Sequence, residues 1–600
     1  MELVVHLTQR IAEPIQQVLS RHGVDDQVVL APPTRGGTAD LAFACHRFAR
    51  HFRKAPQAIA EEFIPAVEAH PLVGAVRAQS GFLNIDFDWA EVAKDTITWA
   101  LEDDGALGYS TILAGQKVLV EYSSPNTNKP QHLGHCRNNL LGQTIAQCLS
   151  VAGADVTRVN LINDRGIHIC KSMVAYQLFG GDATPETMGK KSDHFVGDFY
   201  VLFNTRFVEE YETWLATGAP ALSKDEYFNS EHSALGVQAR QMLLDWEAGD
   251  EVVHGLWTKM NGWCEAGFQQ TYARMGVQFD HIDRESKTYL LGKDLVIEGL
   301  ENGIFERADN GAIVFDLERI DLEGKKVVLR ADGTSVYMTQ DIGTAVQRFE
   351  QFGFDRLIYV VGNEQEHHFR VLFGILAQLK PELAGRLHHL SYGMVELPDG
   401  KMKSREGTVV DADDLMDELR DACVENGRSR WPHLSETALR ERGESIALGG
   451  LKFFFLKYAP QTTFIFDRER SISYEGETGA YCQYAYTRAT SILRKLGTQD
   501  EGVAPDYSAL DNEPCRALLR SILAFPGEVK QAALDDKPSL VAKGIYEMAK
   551  AFAVFFNSTE CRVIGAAPPA MAARAQLVRA ARRILAEGLS HLGMDALEEM

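Results

Sequence analysis

Residues 118–139, VLVEYSSPNTNKPQHLGHCRNN, decide the fold of this chain. An apolar, β-rich run leads into a polar turn and then into His132-Leu133-Gly134-His135, which opens a helical pattern. A second strand-like run follows at Asp155 to Asn160, and such a strand–helix–strand order makes the two strands parallel. Parallel sheets bind ligands where strands end and helices begin, and the free N–H groups of a helix start attract phosphate. The stretch therefore predicts a nucleotide site.

His132 and His135 indicate the chemistry of that site. They are three residues apart, so on a helix both rings project from one face and can reach the same phosphate oxygen. Gly134 leaves no side chain between the backbone and a flat base. Donors placed at a phosphate stabilise charge that grows in the transition state, which indicates attack at the α-phosphate of ATP. An H-x-G-H tetrad alone is a weak signal, so the flanking residues have to decide.

The composition sets broad limits. The chain has 600 residues, 45% apolar and 24% charged, as expected for an ordinary soluble protein of several domains. Nine cysteines without a C-x-x-C pair argue against a disulfide framework or a zinc knuckle and favour a reducing cytoplasm. The N-terminal residues lack the pattern of a signal peptide, and the most apolar run, near Leu451 to Leu456, is too short to span a bilayer. We therefore expect a protein that is neither exported nor inserted into a membrane.

The net charge of −22 is the main objection to an RNA partner, because nucleic-acid binding usually uses basic surface. The field that matters is local, however, and basic residues cluster towards the C-terminus. They either make one helical bundle basic or form solvated helix faces. The residues are Arg488, Arg494, Lys495, Arg574, Arg579, Arg582 and Arg583. If tRNA binds there, its binding should weaken steeply with salt.

Several longer stretches resemble one family. The segments EYSSPNTNKPQHLGH (Glu121–His135) and NLINDRG (Asn160–Gly166) closely resemble arginyl-tRNA synthetases, class I enzymes with this form of the HIGH motif. GMVELPDGKMKSREGTVV, at Gly393–Val410, lies where the KMSKS loop of that class belongs. DGTSVYMTQDIG (Asp332–Gly343) and EGETGAYCQYAYTRATSILRK (Glu475–Lys495) are also similar to that family and follow in the right order. The resemblance covers nearly the whole chain.

The resemblance implies a multidomain α/β architecture. It places an α+β, tRNA-contacting domain at residues 1–110, a Rossmann-like parallel-sheet catalytic domain at 115–440 and an all-α anticodon-binding bundle at 445–600. A helical insertion at about 180–286 should join the two halves of the nucleotide fold, and its aromatic residues are typical of core. The local patterns predict a helix at Asp40 to Phe52 and strands at Gly81 to Phe87, Ala312 to Phe315 and Leu357 to Val361.

The resemblance also implies an arginine pocket. Its residues would be Glu121, Ser123, Asn126, Tyr337, Asp341 and Gln365. A guanidinium needs a planar, bidentate partner such as a carboxylate, and we assign Asp341 to it with Tyr337 beside it, four residues away on the same helix face. For each carboxylate taken alone, an ion pair or a helix cap is the alternative role. His367 and His368 lie near a strand end, but adjacent histidines are typically one packed and one solvated residue.

The implied ATP site contains one departure from the class pattern. Its residues would be His132, Gly134, His135, Met394, Val395, Lys401 and Ser404. Ser404 stands where the second KMSKS lysine belongs, the lysine usually assigned to transition-state charge. Either Lys403 or Lys129, beside the stiff Pro130, replaces it, although Lys129 can also be an exposed turn residue. Mg²⁺ should arrive with the ATP phosphates, and we expect no protein-bound metal.

The implied activity is that of an ATP-dependent arginine–tRNA ligase. L-Arginine would form an adenylate and then an ester with the 2′-OH of the terminal adenosine of tRNA(Arg), and the family mostly acts as monomers. Tyr481, Gln483 and Tyr484 are candidates for tRNA contacts, with helix packing as the alternative. Three other functions are open: a nucleotidylyltransferase, a non-catalytic RNA-binding relative, and a synthetase for another amino acid.

Overall fold

The N-terminal part of the chain combines four helices with a small antiparallel sheet. The computed structural model describes residues 3–31, 33, 39–102, 110–218, 222–398 and 410–600. The sheet has the strand order β1-β3-β2. The elements are α1 (Leu3–Arg21), β1 (Leu41–Ala44), α2 (Ala49–Phe52), α3 (Pro56–Glu68), β2 (Val73–Gln79), β3 (Phe82–Phe87) and α4 (Trp89–Leu101).

The predicted strand at Gly81 to Phe87 is confirmed, whereas the predicted helix at Asp40 to Phe52 is largely wrong. Leu41, Phe43 and Cys45 are buried at every second position, which is the period of a strand, and β1 pairs with β3. Only the last four residues of the predicted helix form α2. The apolar residues of this stretch therefore follow the two-residue period of a strand and not the 3.6-residue period of a helix.

A five-stranded parallel sheet forms the centre of the molecule. Its strands lie in the order β11 (Leu387–Tyr392), β10 (Arg356–Gly362), β4 (Lys117–Glu121), β5 (Asp155–Ile162) and β6 (His281–Arg284). The predicted strand–helix–strand unit is confirmed, because β4 and β5 are adjacent and parallel with α5 between them in the chain. The elements up to the insertion are β4 (Lys117–Glu121), α5 (Leu133–Val151), β5 (Asp155–Ile162) and α6 (Ile167–Phe179).

The stretch after α6 is helical, as expected, and its aromatic residues form core. Phe195, Phe203, Phe268 and Tyr272 are buried, and the two long helices that carry them, α7 and α10, pack against each other. The elements are α7 (Ser192–Ala216), α8 (Lys224–Asn229), α9 (Ala234–Glu247) and α10 (Glu251–Met275).

The chain then returns to the sheet and adds a second, smaller one. The predicted strand at Leu357 to Val361 is β10 of the central sheet, whereas the one at Ala312 to Phe315 is β8 of a separate antiparallel sheet, β7-β8-β9. The elements are β6 (His281–Arg284), α11 (Glu285–Thr288), α12 (Lys293–Glu301), β7 (Glu306–Arg307), β8 (Ile313–Asp316), β9 (Lys325–Leu329), α13 (Tyr337–Phe352), β10 (Arg356–Gly362), α14 (Glu366–Leu379), β11 (Leu387–Tyr392), β12 (Val395–Glu396) and α15 (Ala412–Arg428).

The C-terminal part is a helical bundle, as expected, in which α18 packs on α21 and α19 on α20. All nine cysteines lie in the described part of the chain, and each is a buried free thiol. No helix among the described residues is long and apolar enough to cross a bilayer. The elements are α16 (Glu436–Leu456), β13 (Phe464–Ile465), α17 (Arg468–Ser471), α18 (Gly479–Leu496), α19 (Glu513–Asp535), α20 (Ser539–Asn557) and α21 (Pro568–His591).

Candidate active site

The candidate site lies at the carboxyl ends of the parallel strands. Glu121 ends β4, Gln365 follows β10 and Met394 follows β11, so the sheet brings residues distant in sequence to one edge. Helix α5 begins at the same edge. Strand β4 has β5 on one side and β10 on the other, and open parallel sheets bind ligands at such a change of direction.

His132 and His135 form the start of α5. His132 is the N-cap residue, and its Nδ1 accepts from the N–H of Gly134 at 3.1 Å, while Nδ1 of His135 accepts from the N–H of His132 at 3.1 Å. The ring centroids are 4.0 Å apart. Because both Nδ1 atoms accept, each neutral ring carries its proton on Nε2, where it can be donated to a ligand.

Both histidines are neutral at physiological pH. Burial, reinforced by the positive charge of Lys129, lowers the pKa of His132 to about 4. Burial also lowers the pKa of His135 well below its ordinary value, and His132 and Lys129 lower it further. Gly134 lies between the rings, where an added Cβ would be 3.0 Å from Cε1 of His132. The glycine therefore makes room for the capping ring as well as for a ligand.

The turn between β4 and α5 is strained and braced. Ser123 and Ser124 have φ values of 80° and 49°, which non-glycine residues adopt rarely and mostly at functional sites. Asn160 accepts from the N–H of Ser124 at 3.1 Å, and Asn163 donates to its carbonyl at 3.0 Å. Oγ of Ser123 lies 2.6 Å from the hydroxyl of Tyr272. Two asparagines of the NLINDRG stretch, Asn160 and Asn163, thus support the turn.

Glu121 is the carboxylate of a buried ion-pair network. Its Oε2 accepts from Nη1 of Arg348, and Nε of Arg348 donates to Asp283 at 2.9 Å. Burial raises the pKa of Glu121, while the Arg348 guanidinium lowers it. The structure therefore gives this predicted pocket residue a protein partner, and its role towards a substrate remains a prediction.

Asp341 and Tyr337 lie in the first turns of α13. Oδ2 of Asp341 is 2.6 Å from Nε2 of His368. His368 is one of the two adjacent histidines for which the sequence predicts packing or solvent exposure rather than a role in the site. Tyr337 is 76% exposed, so in this structure it points into open space rather than packing on Asp341. It lines a cavity of about 550 Å³ together with Arg165, Glu285 and Tyr289.

Glu285 is a residue that the sequence reasoning missed. Burial is the largest cause that raises its pKa, to about 7; the carboxylates of Asp164 and Asp341 raise it further, and Arg165 lowers it. A strongly shifted carboxyl group in a cavity is typical of a functional site. Glu285 directly follows β6, and a strand of only four residues leaves no alternation in the sequence that would mark this position.

Lys129 lies beside the histidines. It is half-buried, and burial lowers its pKa. Together with His132, His194, Tyr200 and Asp411, it lines a cavity of about 210 Å³ between α7 and the start of α5. The other predicted lysines, Lys401 and Lys403, lie outside the described residues, as does Ser404.

The remaining pocket residues are placed at the edge of the sheet. Asn126 and Gln365 are exposed, and Asn126 forms an isolated bridge with Asn163. The N–H of Met394 donates to Oγ1 of Thr463 at 3.2 Å, and Val395 is buried in β12.

The three candidate tRNA contacts differ in accessibility. Gln483 is completely buried, and its Nε2 donates to the carbonyl of Asp595 at 3.0 Å, as expected of its alternative role in helix packing. Tyr481 is half-buried against Tyr546. Tyr484 lines a cavity of about 680 Å³ with Arg488, Lys495 and Phe556.

Family profiles match almost the whole chain. The profile described as tRNA synthetases class I (R), catalytic domain, matches residues 96–468. The arginyl tRNA synthetase N terminal domain matches residues 6–87, and the DALR anticodon binding domain matches residues 482–600.

Individual proteins match over the full length. An arginine–tRNA ligase of Treponema denticola is 41% identical over 96% of this chain and 95% of its own, and one of Parabacteroides distasonis is 41% identical over 99% of both. The solved arginyl-tRNA synthetase of Thermus thermophilus is 25% identical over 99% of this chain and 100% of its own, with a TM-score of 0.78. That of Plasmodium falciparum covers 100% of both chains at 17% identity and a TM-score of 0.70, which supports the fold alone.

Proposed function

The chain belongs to the arginyl-tRNA synthetase family, and on that premise we propose how its residues carry out an arginine–tRNA ligase reaction. In the first step, the carboxylate of L-arginine attacks the α-phosphate of ATP in line and pyrophosphate leaves. In the second, the 2′-OH of the terminal adenosine of tRNA(Arg) attacks the adenylate and AMP leaves. The observation that carries the proposal is the pair of neutral, Nε2-protonated histidines at the start of α5, on the same sheet edge as Glu285 at the end of β6. Asp341 lies close enough to Glu285 to raise its pKa.

ATP binds at the start of α5. The Nε2–H groups of His132 and His135 donate to its phosphates, and the base lies over Gly134. The base edge meets the backbone of Val395 rather than the N–H of Met394, because Thr463 already accepts from that N–H. Mg²⁺ arrives with ATP, held mainly by phosphate oxygens and water.

Lys129 supplies the positive charge at the α-phosphate. It is half-buried next to His132, and burial strengthens the field of a charge that faces a phosphate. Lys403 is the alternative, and Lys401 and Ser404 would contact ATP from the same segment. No covalent intermediate with the protein is needed, so catalysis consists of positioning and charge stabilisation.

L-Arginine binds on the acidic side of the edge. Asp341 and Glu285 receive the guanidinium from two different elements, α13 and α11, while Glu121 and Ser123 shape the pocket from the end of β4. The exposed side chain of Tyr337 packs against the face of the substrate guanidinium. Asn126 and Gln365 contact the polar groups of the substrate. Two separately held carboxylates suit a planar fork of donors better than they suit a lysine ammonium.

The C-terminal bundle binds the anticodon. The cavity at Tyr484 offers an aromatic ring on which Arg488 lies, 4.3 Å from the ring centroid. Aromatic and guanidinium planes stack on unpaired bases. We propose Tyr484 and Tyr481 as tRNA contacts and leave out the buried Gln483. As in the family, arginine activation should require bound tRNA.

The proposed functional regions keep the boundaries stated above. Residues 1–110 contact the tRNA, 115–440 carry out catalysis with the insertion at about 180–286, and 445–600 bind the anticodon. We further propose that the protein works in the cytoplasm, where ATP and tRNA meet, and acts as a monomer.

The test is aminoacylation of total tRNA by the wild-type protein with each amino acid separately. We expect charging with arginine only, and ATP–pyrophosphate exchange only when tRNA is present. Transfer of AMP to a small phosphorylated acceptor without tRNA stimulation would instead favour a nucleotidylyltransferase. Binding of tRNA without charging by any amino acid would favour a non-catalytic relative, and charging with another amino acid would reassign the pocket.

A further inference from the structure

A short backbone pairing joins the histidine motif to a distant part of the chain. The N–H of Leu133 donates to the carbonyl of Val410 at 3.0 Å, and the N–H of Ala412 donates to the carbonyl of Gln131 at 3.0 Å. His132 and Asp411 therefore face each other as an antiparallel bridge. The residue that caps α5 is thus held by the segment that begins α15.

Two acidic side chains organise the start of α15. Asp411 is its N-cap residue and accepts from the N–H groups of Asp413 and Asp414 at 2.8 and 3.1 Å. Asp413 extends towards the helical insertion, where its Oδ2 accepts from Oγ1 of Thr271 at 3.0 Å. The start of α15 is therefore fixed on one side by its own cap and on the other side by the insertion.

Lys191 and His194 supply the matching positive charge from the start of α7. Nζ of Lys191 lies 2.8 Å from Oδ2 of Asp413 and 2.9 Å from Oδ2 of Asp193. Nε2 of His194 lies 3.5 Å from Oδ2 of both Asp411 and Asp413. Three carboxylates thus lie around one ammonium and one imidazole.

The cluster is shielded from solvent. Asp193 is completely buried and packs against Gly267 of α10, where an added Cβ would lie 2.4 Å from its carboxyl carbon. Burial alone would raise the pKa of Asp413, but hydrogen bonds from His194 and Lys191 lower it to about 2. A hydrogen bond to Asp413 in turn raises the pKa of His194, against the effect of burial. These contacts therefore favour the ionised forms of both Asp413 and His194.

We propose that Lys191 and His194 are positioning residues of the active site. Acting through Asp413 and Asp411, they hold residues 410–412 against residues 131–133 and so fix where His132 and Lys129 face the ATP phosphates. His194, Asp411, His132 and Lys129 line the same cavity of about 210 Å³, so a shift of the bridge moves the groups that contact ATP. This inference rests on the proposed function and extends it to residues of the insertion.

The test compares Lys191→Met with Lys190→Met in steady-state arginylation. Lys190 is the neighbouring residue; it precedes α7 and forms an exposed ion pair with Asp198 of that helix. We expect Lys191→Met to lower kcat at least tenfold and to raise the KM for ATP, with little change in the KM for arginine, because small displacements of positioned groups reduce rates strongly. Lys191→Arg should restore most of the activity, and Lys190→Met should match the wild type.

A gentler variant covers the case in which Lys191→Met does not fold. Thr271→Val removes the hydrogen bond that Oγ1 donates to Asp413 and the one that it accepts from Lys191, without changing the charge of the cluster. It should give a smaller change of the same kind. Wild-type kcat and KM for ATP in folded Lys191→Met, or in Thr271→Val when Lys191→Met does not fold, would overturn the proposal. So would an equal loss in Lys190→Met. If the wild type charges no tRNA with arginine, the proposed function fails instead, which is a separate result.

Discussion

The raised pKa of Glu285 gives a quantitative prediction for arginine binding. The group has a pKa of about 7 because it is buried and because Asp164 and Asp341 are close, against the opposing effect of Arg165. A guanidinium bound beside it favours the ionised carboxylate and brings its pKa back towards the ordinary value. Arginine binding should therefore release a proton from Glu285 at slightly acidic pH, and affinity should fall as pH falls through 7.

The magnitude follows from the fraction of Glu285 that is ionised. With a pKa of about 7, about a tenth of the free protein carries the carboxylate at pH 6 and about nine-tenths at pH 8. The apparent dissociation constant for arginine should then be about tenfold higher at pH 6 than at pH 8, which corresponds to about 1.4 kcal/mol. The substrate guanidinium remains charged throughout this range and adds no pH dependence.

Titration calorimetry of arginine into the protein between pH 6 and 8 measures this directly. Repeating the pH 6 titration in buffers of different ionisation enthalpy counts the released proton. Glu285→Gln should bind more weakly at pH 8 and show an almost flat profile, whereas Glu301→Gln, at an exposed position on α12, should keep the tenfold change. A dissociation constant that is independent of pH in the wild type, or a profile that Glu285→Gln leaves unchanged, would refute the reasoning.

Four further substitutions test other parts of the structure. Lys129→Ala should slow adenylate formation in single turnovers by about a hundredfold, as for loss of one well-placed stabilising group, and an unchanged rate would exclude this role. In Gly142→Ala the new Cβ would lie 2.2 Å from the Tyr122 ring, so urea denaturation should show a loss of about 1–3 kcal/mol. Gly262→Ala, with no heavy atom within 4 Å, should be neutral or stabilise by up to about 1 kcal/mol, and equal losses in both would contradict the packing argument. Burial lowers the pKa of His591 to about 4, so between about pH 6.5 and pH 4 the unfolded chain binds a proton that the folded chain does not, and stability decreases by up to about 3 kcal/mol as pH falls. His591→Phe should remove that part of the decrease in urea midpoints measured at about pH 7 and about pH 4.5; an unchanged decrease would assign it to other groups.

The parts of the fold that could be predicted are those determined by residues close together in the sequence. The strand, the polar turn and the capped helix of residues 118–151 lie within one stretch, and the buried aromatic residues of the insertion repeat at helical spacing. The helix predicted from Asp40 failed because a short apolar run fits both periods, and its pairing with β3, some forty residues later, decides for a strand.

The parts of the site that could not be predicted depend on distant contacts. Arg348 meets Glu121 across 227 residues, and Lys191 meets Asp413 across 222, so neither pair leaves a pattern that one sequence can show. Glu285 follows a strand of only four residues, too short for its alternation to be read. Gln483 lies in a stretch that resembles the family, but its burial is set by contacts with the last residues of the chain.

The charges of the site match what the two substrates require. The acidic side, with Glu285 and Asp341, complements the guanidinium, while the phosphate side has neutral histidines at the start of α5. The reacting groups, a carboxylate and an α-phosphate, repel each other, and neutral imidazoles can donate hydrogen bonds but cannot cancel that repulsion. A cation must therefore stand at the point of attack, in addition to the Mg²⁺ that comes with ATP. Among the residues that line the cavity next to His132, Lys129 is the one lysine or arginine, which is why its loss should reduce the rate of adenylate formation more than the affinity for arginine.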